Sequence, residues 1–380
     1  MGADEALRIA LLTYSTKPRG GVVHTLALAE ALARRGQDVT VFSLGRGGDS
    51  AFFRDVDPDL RVRVVPLPEI DGEELGPRIL RSISTLAAAL VPERDGFDVV
   101  HAQDCISANA AGRPIRTVHH IDEFSTAQLI ACHERAIRDP VAHVCVSEPV
   151  AAELREGWGI TATVIPNGVD AARFAAAAGP DAAPARAAWT ARLGRYVLAV
   201  GGIEPRKGSV ELLEAFALLQ GSHPGVRLVI GGGETVFDYR DYRAAWQARA
   251  GELGVEPVVL GPVPDPELPA LVAAAEVFAF PSVKEGFGLA AMEALAAGVP
   301  LVASDLPVLR RTFDGAATFA GTVPELAAAL SAVLHDGPDP TRRVAGRALA
   351  ARHTWDAAAL SHLQLYRRLS ADGSVTTRGA

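Results

Sequence analysis

The 380-residue sequence is poor in cysteine, and the few thiols are arranged without a pattern. Cys105, Cys132 and Cys145 are an odd number and form no CxxC spacing. A disulfide scaffold or a cysteine-based metal site therefore does not fit, because both need paired thiols at defined spacings. We expect reduced, buried thiols and a cytoplasmic protein.

Long apolar runs are also missing. A helix that spans a membrane needs about 20 consecutive apolar residues, and the longest candidate run, Leu271 to Phe280, is interrupted by Glu276. The first residues, MGADEALRIALLTYS, carry acids where a secretory signal would carry basic side chains. We expect at most peripheral membrane contact, for which Arg78 and Arg81 at the start of a helical pattern are the candidates.

The sequence has no excess of positive charge. Its 37 Lys and Arg against 45 Asp and Glu give a net charge of −8, which argues against nucleic acid as a partner, because phosphate neutralisation requires clustered cations. The content of 49% hydrophobic and 22% charged residues is typical of a globular protein. At this length, two domains are expected.

Short apolar runs alternate with helical patterns along most of the chain. The run of apolar positions from Val22 to Ala33, followed by Arg34, Arg35 and Gly36, predicts a helix with a basic last turn. The predicted strands are LRIALLT, DVTVFSL, VRVVPL, FDVVHA, PIRTV and AHVCVS, and then YVLAVGG, VRLVIGGG, EPVVLG, VFAFPS and PLVAS. Nearly continuous apolar strands separated by helices indicate parallel sheets covered on both faces.

The alternation is interrupted between residues 166 and 189, where Pro, Gly and Ala dominate. We therefore predict an α/β protein of two doubly wound, Rossmann-like domains. The first domain covers residues 1–165, the linker 166–189 and the second domain 190–352. Residues 353–380 form a terminal helix and tail.

Ligands of doubly wound sheets bind where strands end and helices begin, and two such junctions carry anion-binding chemistry. Gly20 and Gly21 open the first helix and expose backbone N–H groups at its N-terminus. Arg206 and Lys207 follow the first strand of the second domain. Adjacent cations repel unless an anion lies beside them, and a phosphate or diphosphate fits there.

A third junction holds two glutamates, Glu285 and Glu293, eight positions apart. Gly286 and Gly288 lie between them and mark a helix N-terminus that offers N–H donors to phosphate. A helix would separate the two carboxylates by about 12 Å at ~1.5 Å per residue. Because carboxylates accept hydrogen bonds from vicinal hydroxyls, each glutamate could hold one end of a nucleotide sugar.

Three other patterns are weaker. Asp55, Asp57 and Asp59 have the spacing of a metal–nucleotide motif, but the proline-containing connection around them favours turn roles. His119 and His120 are adjacent on the chain, so that both rings do not easily face one metal ion. The glycine-rich stretches 44–50 and 231–237 lack the third glycine of a dinucleotide fingerprint.

Together these junctions resemble the retaining glycosyltransferases of family 4, the glycosyl transferases group 1, which have the GT-B fold. The similarity covers nearly the whole chain. It rests on PRGGVVHTLALAEALARRGQDVTVF, TVHHIDEF, CVSEPVAAEL, VIPNGVDAARF, VGGIEPRKGSVELLEAF, LVIGGGE, FPSVKEGFGLAAMEALAAGVPLVASDLP and HTWDAAALSHLQLYRRL. The resemblance implies two domains facing a cleft, with the last helix crossing back to the first domain.

The resemblance also implies roles for individual residues. His119 would lie near the donor sugar at the reacting centre, and Gly21, beside Gly20, would approach the diphosphate. Arg206 and Lys207 would neutralise the diphosphate, so that no metal ion and no cofactor is needed. The remaining donor contacts would be Glu285 to the sugar, the amides of Gly286, Phe287, Gly288 and Leu289 to the phosphates or the sugar, and Glu293 to the ribose.

The expected function is therefore the transfer of a hexosyl group from a UDP- or GDP-sugar, with retention of configuration, to an unidentified acceptor. That acceptor could be a small molecule, a glycan or a lipid-linked molecule, selected by loops of the first domain. Three alternatives stay open at this point. Within the same fold, a sugar-nucleotide epimerase or a phosphorylase is possible, although the spacing of the two glutamates and the EPRKG stretch favour transfer. The others are an NAD-dependent dehydrogenase and a nucleotide-sugar-binding protein without catalytic activity.

Overall fold

The structure, a computed structural model, describes residues 6–122, 124, 126–232 and 239–373. It divides the chain into two compact units. The first unit contains the residues up to Gly168 together with those from Trp355 onwards, and the second unit is Val169–Thr354.

The described part of the first unit contains a parallel sheet of seven strands in the order β3-β2-β1-β4-β5-β6-β7. The strands are β1 Arg8–Leu12, β2 Asp38–Arg46, β3 Arg61–Leu67, β4 Val99–Ala102, β5 Ile115–Val118, β6 Ala142–Cys145 and β7 Thr163–Val164. The helices between them are α1 Gly20–Arg34, α2 Leu75–Leu90, α3 Cys105–Ala111, α4 Ala127–Arg138 and α5 Glu148–Trp158.

The second unit repeats the arrangement with a parallel sheet in the order β10-β9-β8-β11-β12-β13. Its strands are β8 Arg195–Val200, β9 Val226–Gly231, β10 Val258–Gly261, β11 Val277–Phe280, β12 Leu301–Ser304 and β13 Ala317–Ala320. Its helices are α6 Ala171–Ala177, α7 Ala183–Leu193, α8 Ser209–Gln220, α9 Arg240–Leu253, α10 Leu268–Ala273, α11 Leu289–Ala297, α12 Pro307–Phe313, α13 Val323–Asp336 and α14 Pro340–Arg352. The last helix, α15 Trp355–Ala371, belongs to the first unit.

Successive residues of β1 face opposite sides of the first sheet, and both sides are apolar and covered by helices. Ile9 and Leu11 of β1 pack into a core that also contains residues of α1 and α15. Ala10 and Leu12 point to the opposite face, where they pack with residues of α2 and α3. Successive side chains of a strand alternate between faces, so a fully apolar strand requires two apolar layers. The predicted pair of doubly wound parallel sheets is confirmed.

Local differences concern short or alanine-rich segments. The structure adds β7 and β13, which have little strand signal, and it places α6 and α7 where residues 166–189 are predicted to be a linker. Alanine has the highest helix propensity, and Phe174 and Trp189 anchor these two helices because their side chains are buried. The segment from Val169 onwards is part of the second unit.

The helices of the structure were compared with the length and hydropathy of membrane-spanning helices. No helix within the described ranges combines the length and the hydropathy that crossing a membrane requires. The three cysteines are all free thiols, of which Cys132 and Cys145 are buried as expected and Cys105 is half-buried.

Candidate functional site

The strand order of the second sheet reverses between β8 and β11, which are neighbours in the sheet although they are far apart in the chain. A crevice outside the carboxyl ends of two such strands is the usual ligand site of a doubly wound sheet. Arg206 and Lys207 lie in a short 3-10 turn, Pro205–Lys207, that follows β8. Glu285 lies in the loop after β11, so the predicted cations and the first predicted glutamate meet at this crevice.

A glycine brings the basic turn against the loop after β11. Gly208 ends the turn with φ +62°, and a Cβ at this position would lie only 2.0 Å from the carbonyl oxygen of Pro281. The N–H of Val283 donates to the carbonyl oxygen of Arg206 at 2.9 Å. Because only glycine allows both the left-handed backbone and this close approach, Gly208 fixes the distance between the two loops.

The side chains of the crevice form a compact ionic group. Nζ of Lys207 lies 2.8 Å from Oε2 of Glu285, and Nη1 of Arg206 lies 3.5 Å from the same oxygen. Nη2 of Arg206 also lies 3.0 Å from Oε1 of Glu204. The anions that hold the two cations together in this structure are therefore carboxylates of the protein itself.

The ionisation of Glu285 follows from these contacts. Burial alone would raise its pKa, but the charges of Lys207 and Arg206 and the hydrogen bond from Lys207 lower the pKa to about 2. Glu285 is thus a fully ionised and weakly basic carboxylate at neutral pH.

A small pocket lies beside this ionic group at the carboxyl ends of β8 and β11, and its lining includes Gly201, Lys207, Phe280 and Ser282. Nζ of Lys207 lies 5.1 Å from the centroid of the Phe280 ring. Ser282 is 1% exposed, and within the described ranges its hydroxyl has no hydrogen-bond partner. A buried hydroxyl that lines a pocket is suited to bind an oxygen atom of a ligand.

The N-terminus of α11 provides the predicted amide donors. Gly288 precedes the helix with φ +93°, and a Cβ there would lie 3.0 Å from the Phe313 ring, so a glycine is required. The N–H of Gly286 already donates to Oε1 of Glu285 at 3.1 Å. Phe287 is buried, with its ring 5.6 Å from that of His353, so a role for Phe287 in donor binding would involve its amide and not its ring.

Glu285 and Glu293 are not joined by one continuous helix, contrary to the prediction from the sequence. Helix α11 begins at Leu289, so the chain from Glu285 to Gly288 is loop and only the last four steps to Glu293 are helical. The rise of a continuous helix therefore does not set the separation of the two carboxylates. The loop instead turns Glu285 towards Lys207 and Arg206.

Glu293 lies in a different electrostatic environment. Burial raises its pKa, the positive charge of Arg173 lowers it, and the negative charges of Asp265 and Asp170 raise it, with a net value of about 8. Arg173 is itself paired with Asp265, with 2.8 Å between Nη2 and Oδ2. At neutral pH the carboxyl group of Glu293 is thus mostly protonated in this structure.

All three of these neighbours, Arg173, Asp265 and Asp170, are absent from the sequence-based set of site residues. Asp170 caps α6 by accepting a hydrogen bond from the N–H of Arg173 at 3.1 Å. Both residues lie in the segment predicted to be a linker. The signal that could have found them is the stretch VIPNGVDAARF, which carries part of the family resemblance and contains both residues.

The remaining predicted residues lie in the first unit. His119 immediately follows β5, and Gly20 and Gly21 are the first residues of α1. A Cβ at Gly21 would lie 3.7 Å from Cδ2 and Nε2 of His119, whereas a Cβ at Gly20 would meet no atom within 4 Å. The structure therefore brings His119 and Gly21 together at the start of α1.

The weaker motifs take local structural roles where the structure describes them. In the parts of the chain that the structure describes, no group of three or more His, Cys, Asp or Glu side chains could hold a metal ion. Nε2 of His120 pairs with Oδ1 of Asp122 at 3.0 Å, and Asp57 accepts a turn hydrogen bond from the N–H of Asp59. Most of the glycine-rich stretch 231–237 lies outside the described residues.

Two family models and several relatives match this chain over most of its length. Residues 18–173 match the model described as Glycosyltransferase Family 4, and residues 191–349 match the model described as Glycosyl transferases group 1. The phosphatidyl-myo-inositol mannosyltransferase of Mycobacterium tuberculosis is 31% identical, with 97% of this chain and 98% of the relative covered. The D-inositol 3-phosphate glycosyltransferase of Kineococcus radiotolerans is 31% identical, with 98% of each covered.

Solved structures show the same architecture at lower sequence identity. Sucrose-phosphate synthase from Thermosynechococcus elongatus superposes with a TM-score of 0.77 at 22% identity, over 96% of this chain and 100% of that one. Anabaena HepE in complex with UDP and glucose superposes with a TM-score of 0.73 at 21% identity, over 96% of this chain and 100% of that one. These likenesses concern the fold.

The two sheets and the ionic crevice, with these matches, define a glycosyltransferase of the GT-B fold. The chain belongs to glycosyltransferase family 4, with the group 1 domain in its second unit. The predicted family and enzyme class are confirmed, and family membership sets aside the alternative of a dehydrogenase.

Proposed function

We propose that the protein transfers a hexosyl group from a nucleoside diphosphate sugar, UDP- or GDP-linked, with retention of configuration and without a metal ion. The observation that carries this proposal is the ionic group of Arg206, Lys207 and Glu285 at the switch point of the second sheet. A diphosphate is the natural ligand for two adjacent cations at such a crevice.

The two cations supply the charge that a metal ion would otherwise provide. The leaving diphosphate gains negative charge as the bond to the sugar breaks, and preorganised cations in a partly buried site stabilise that charge. On donor binding, phosphate oxygens would compete with Glu204 and Glu285 for Arg206 and Lys207. This exchange frees Glu285 to accept hydrogen bonds from the sugar.

The ionisation of Glu285 supports retention through the departing phosphate. In the free protein the carboxylate of Glu285 is a weak base, because its pKa is about 2, and once the donor is bound its oxygens accept hydrogen bonds from the sugar. Such a group is poorly suited to act as a covalent nucleophile. We therefore infer a front-face substitution in which the leaving phosphate assists the acceptor, while the protein positions the partners and stabilises charge.

The names of the relatives extend the proposal to the acceptor. Both the mannosyltransferase and the glycosyltransferase cited above are named for inositol-containing acceptors, so we propose an inositol derivative as the acceptor, bound by loops of the first unit. We also propose a cytoplasmic location with at most peripheral membrane contact, which the three free thiols support.

Thermal unfolding with a panel of UDP, GDP, ADP, TDP and NAD, with Mg²⁺ or with EDTA, tests the donor site. A ligand at about 100 times its dissociation constant adds about 2.7 kcal/mol to the free energy of unfolding. We expect one nucleoside diphosphate to stabilise the protein equally with Mg²⁺ and with EDTA, and the effect to be lost in Glu293→Ala. Stabilisation that needs Mg²⁺ would contradict metal independence, and no stabilisation would favour a protein without donor binding.

Transfer itself is tested with the nucleotide sugar selected by that panel. The acceptors are inositol 1-phosphate, inositol 3-phosphate and phosphatidylinositol vesicles, with glycerol 3-phosphate as a control. The proposal is supported if an inositol compound is glycosylated and if NMR shows the same anomeric configuration in the product as in the donor. Inverted product contradicts retention, and donor hydrolysis with no inositol product contradicts the acceptor assignment.

A further inference from the structure

The ring of His119 rests on the first turn of α1. The centroid of the His24 ring lies 4.9 Å from that of His119, and the two planes are inclined by 81°. A Cβ at Gly21 would also contact His119, at 3.7 Å. Because residues three apart lie on one face of a helix, Gly21 and His24 form a single surface against which His119 packs.

His24 is held in one orientation and one protonation state. It is 1% exposed, and its Nδ1 lies 2.9 Å from Oδ1 of Asn167. A carboxamide oxygen only accepts, so Nδ1 carries the proton. Burial lowers the pKa of His24 well below its ordinary value, and the neighbouring His119 and His362 lower it further. His24 is therefore a neutral imidazole with a fixed tautomer.

The other sides of the His24 ring are enclosed by the last helix. Trp355 lies 5.3 Å away with its ring plane inclined by 81°, and His362 lies 6.2 Å away. Both come from α15, which packs on the same face of the sheet as α1. The ring of His24 is therefore flanked by side chains of α15, and a change of its orientation would break the hydrogen bond to Asn167.

We propose that His24, held by the hydrogen bond to Asn167, is a positioning residue that fixes the orientation of His119 for the transfer reaction. The inference rests on the proposed role of His119 beside the donor sugar. It assigns a positioning role to the start of α1, to Asn167 and to the C-terminal helix α15, because these elements hold His24 against His119. A small displacement of a group beside the reacting atoms costs a factor of up to about a hundred in rate.

Two variants at one position isolate the hydrogen bond. Asn167→Asp keeps an oxygen that accepts from Nδ1–H of His24, whereas Asn167→Leu has a similar volume and no acceptor. We expect Asn167→Leu to lower kcat about tenfold to a hundredfold with the donor KM changed by less than about twofold. We expect Asn167→Asp to restore most of kcat. Equal kcat in the wild type and Asn167→Leu, or equal losses in both variants, would overturn the proposal.

A double variant addresses the case in which Asn167→Leu folds poorly. His24→Leu combined with Asn167→Leu removes both polar partners and leaves no buried group of this pair unsatisfied. We expect this protein to melt within a few degrees of the wild type and to show the same loss of kcat. Wild-type kcat in the folded double variant would make His24 a core residue only and would overturn the proposal.

A spectroscopic readout separates this inference from the proposed function. In protein labelled with ¹³C at histidine Cε1, the His119 signal is assigned with His119→Gln. We expect that signal to shift or broaden in Asn167→Leu and in the double variant, and to stay near its wild-type position in Asn167→Asp. An unchanged His119 signal in all variants refutes the positioning role. Absence of transfer by the wild type refutes the proposed function instead, whatever the spectra show.

Discussion

Nζ of Lys207 lies 2.8 Å from Oε2 of Glu285, although the two residues are 78 positions apart in the chain. The turn after β8 and the loop after β11 thus supply opposite charges to one crevice. In the free protein the charges of the two side chains neutralise each other. In the proposed function, a diphosphate would compete with the carboxylate of Glu285 for the ammonium group of Lys207.

Lys207→Met is expected to weaken binding of the nucleoside diphosphate by roughly tenfold to a hundredfold. Removal of one charge-assisted hydrogen bond costs about 1.5–3 kcal/mol, and 1.4 kcal/mol corresponds to a factor of ten. Isothermal titration calorimetry measures the change. Arg249→Met, which removes an ion pair with Glu214 on the outside of α9, is the matched control in the same unit and should bind normally. Equal affinity in Lys207→Met and the control would exclude Lys207 from the diphosphate site.

Glu293→Gln is expected to stabilise the free protein at alkaline pH and to weaken donor binding. The pKa of Glu293 in the folded protein is about 8, above its ordinary value of 4.5. The folded state then binds more protons than the unfolded state between these values, so stability falls as pH rises through this window. The glutamine lacks this penalty and should be more stable by roughly a few kcal/mol at pH 9, with no difference near pH 4.5.

Urea unfolding of wild type and Glu293→Gln at pH 5, 7 and 9 measures this effect. The control is Glu252→Gln on α9, where the glutamate side chain is 64% exposed. If the difference between Glu293→Gln and the wild type stays constant with pH, Glu293 titrates normally in the folded state.

Donor binding is expected to release a proton near pH 7. If ribose hydroxyls donate to Glu293, the carboxyl group has to ionise, because a protonated carboxyl accepts them less well. Calorimetry of the same nucleotide in two buffers of different ionisation enthalpy counts the released protons. We expect about one proton for the wild type and none for Glu293→Gln. An identical enthalpy in both buffers would place the ribose elsewhere.

The first unit is expected to lose stability in mild acid because of His362. Burial lowers its pKa from 6.5 to about 4, and its neighbours within ring-contact distance are His24, His101 and Tyr366. A histidine with a lowered pKa contributes no penalty above pH 6.5 and destabilises the fold as pH falls from there towards 4.

His362→Leu should remove a penalty on the order of 3 kcal/mol at pH 4, measured as a smaller difference in unfolding free energy between pH 7.5 and pH 4.5. His335→Leu on α13 replaces a side chain that is 83% exposed and should show the wild-type pH dependence. If both variants respond to pH as the wild type does, His362 is not responsible for acid sensitivity.

Gly208→Ala is expected to destabilise the second unit far more than Gly254→Ala. Both glycines have left-handed backbones, with φ +62° and +65°, so each alanine pays about 1–2 kcal/mol in backbone strain. Only at Gly208 does the new Cβ also meet a carbonyl oxygen at 2.0 Å, whereas the space around Gly254 is open. Melting temperatures and nucleotide affinity of the two variants separate the steric clash from the strain, and equal losses would show that the close approach to Pro281 is unimportant.

The two β-sheets could be predicted because their signal is local. Runs such as the one around Ile9 and Leu11 are apolar on both faces, and a parallel sheet covered by helices is the structure that buries both. The resemblance carried by EPRKG and by the glutamates at 285 and 293 predicted the family for the same reason, since short motifs are read directly from the chain. The helices of residues 171–193 were missed because alanine, glycine and proline in one segment give conflicting local signals.

The sequence by itself determined the fold class, the family and three of the residues that meet at the crevice after β8 and β11, namely Arg206, Lys207 and Glu285. Only the tertiary structure decided the ionisation state of the two glutamates. Glu285 and Glu293 are the same residue type eight positions apart, yet the pKa of one is about 2 and that of the other about 8. The physical reason is that ionisation depends on burial and on charges nearby in space, and Lys207, Asp170 and Asp265 reach these two glutamates from distant parts of the chain.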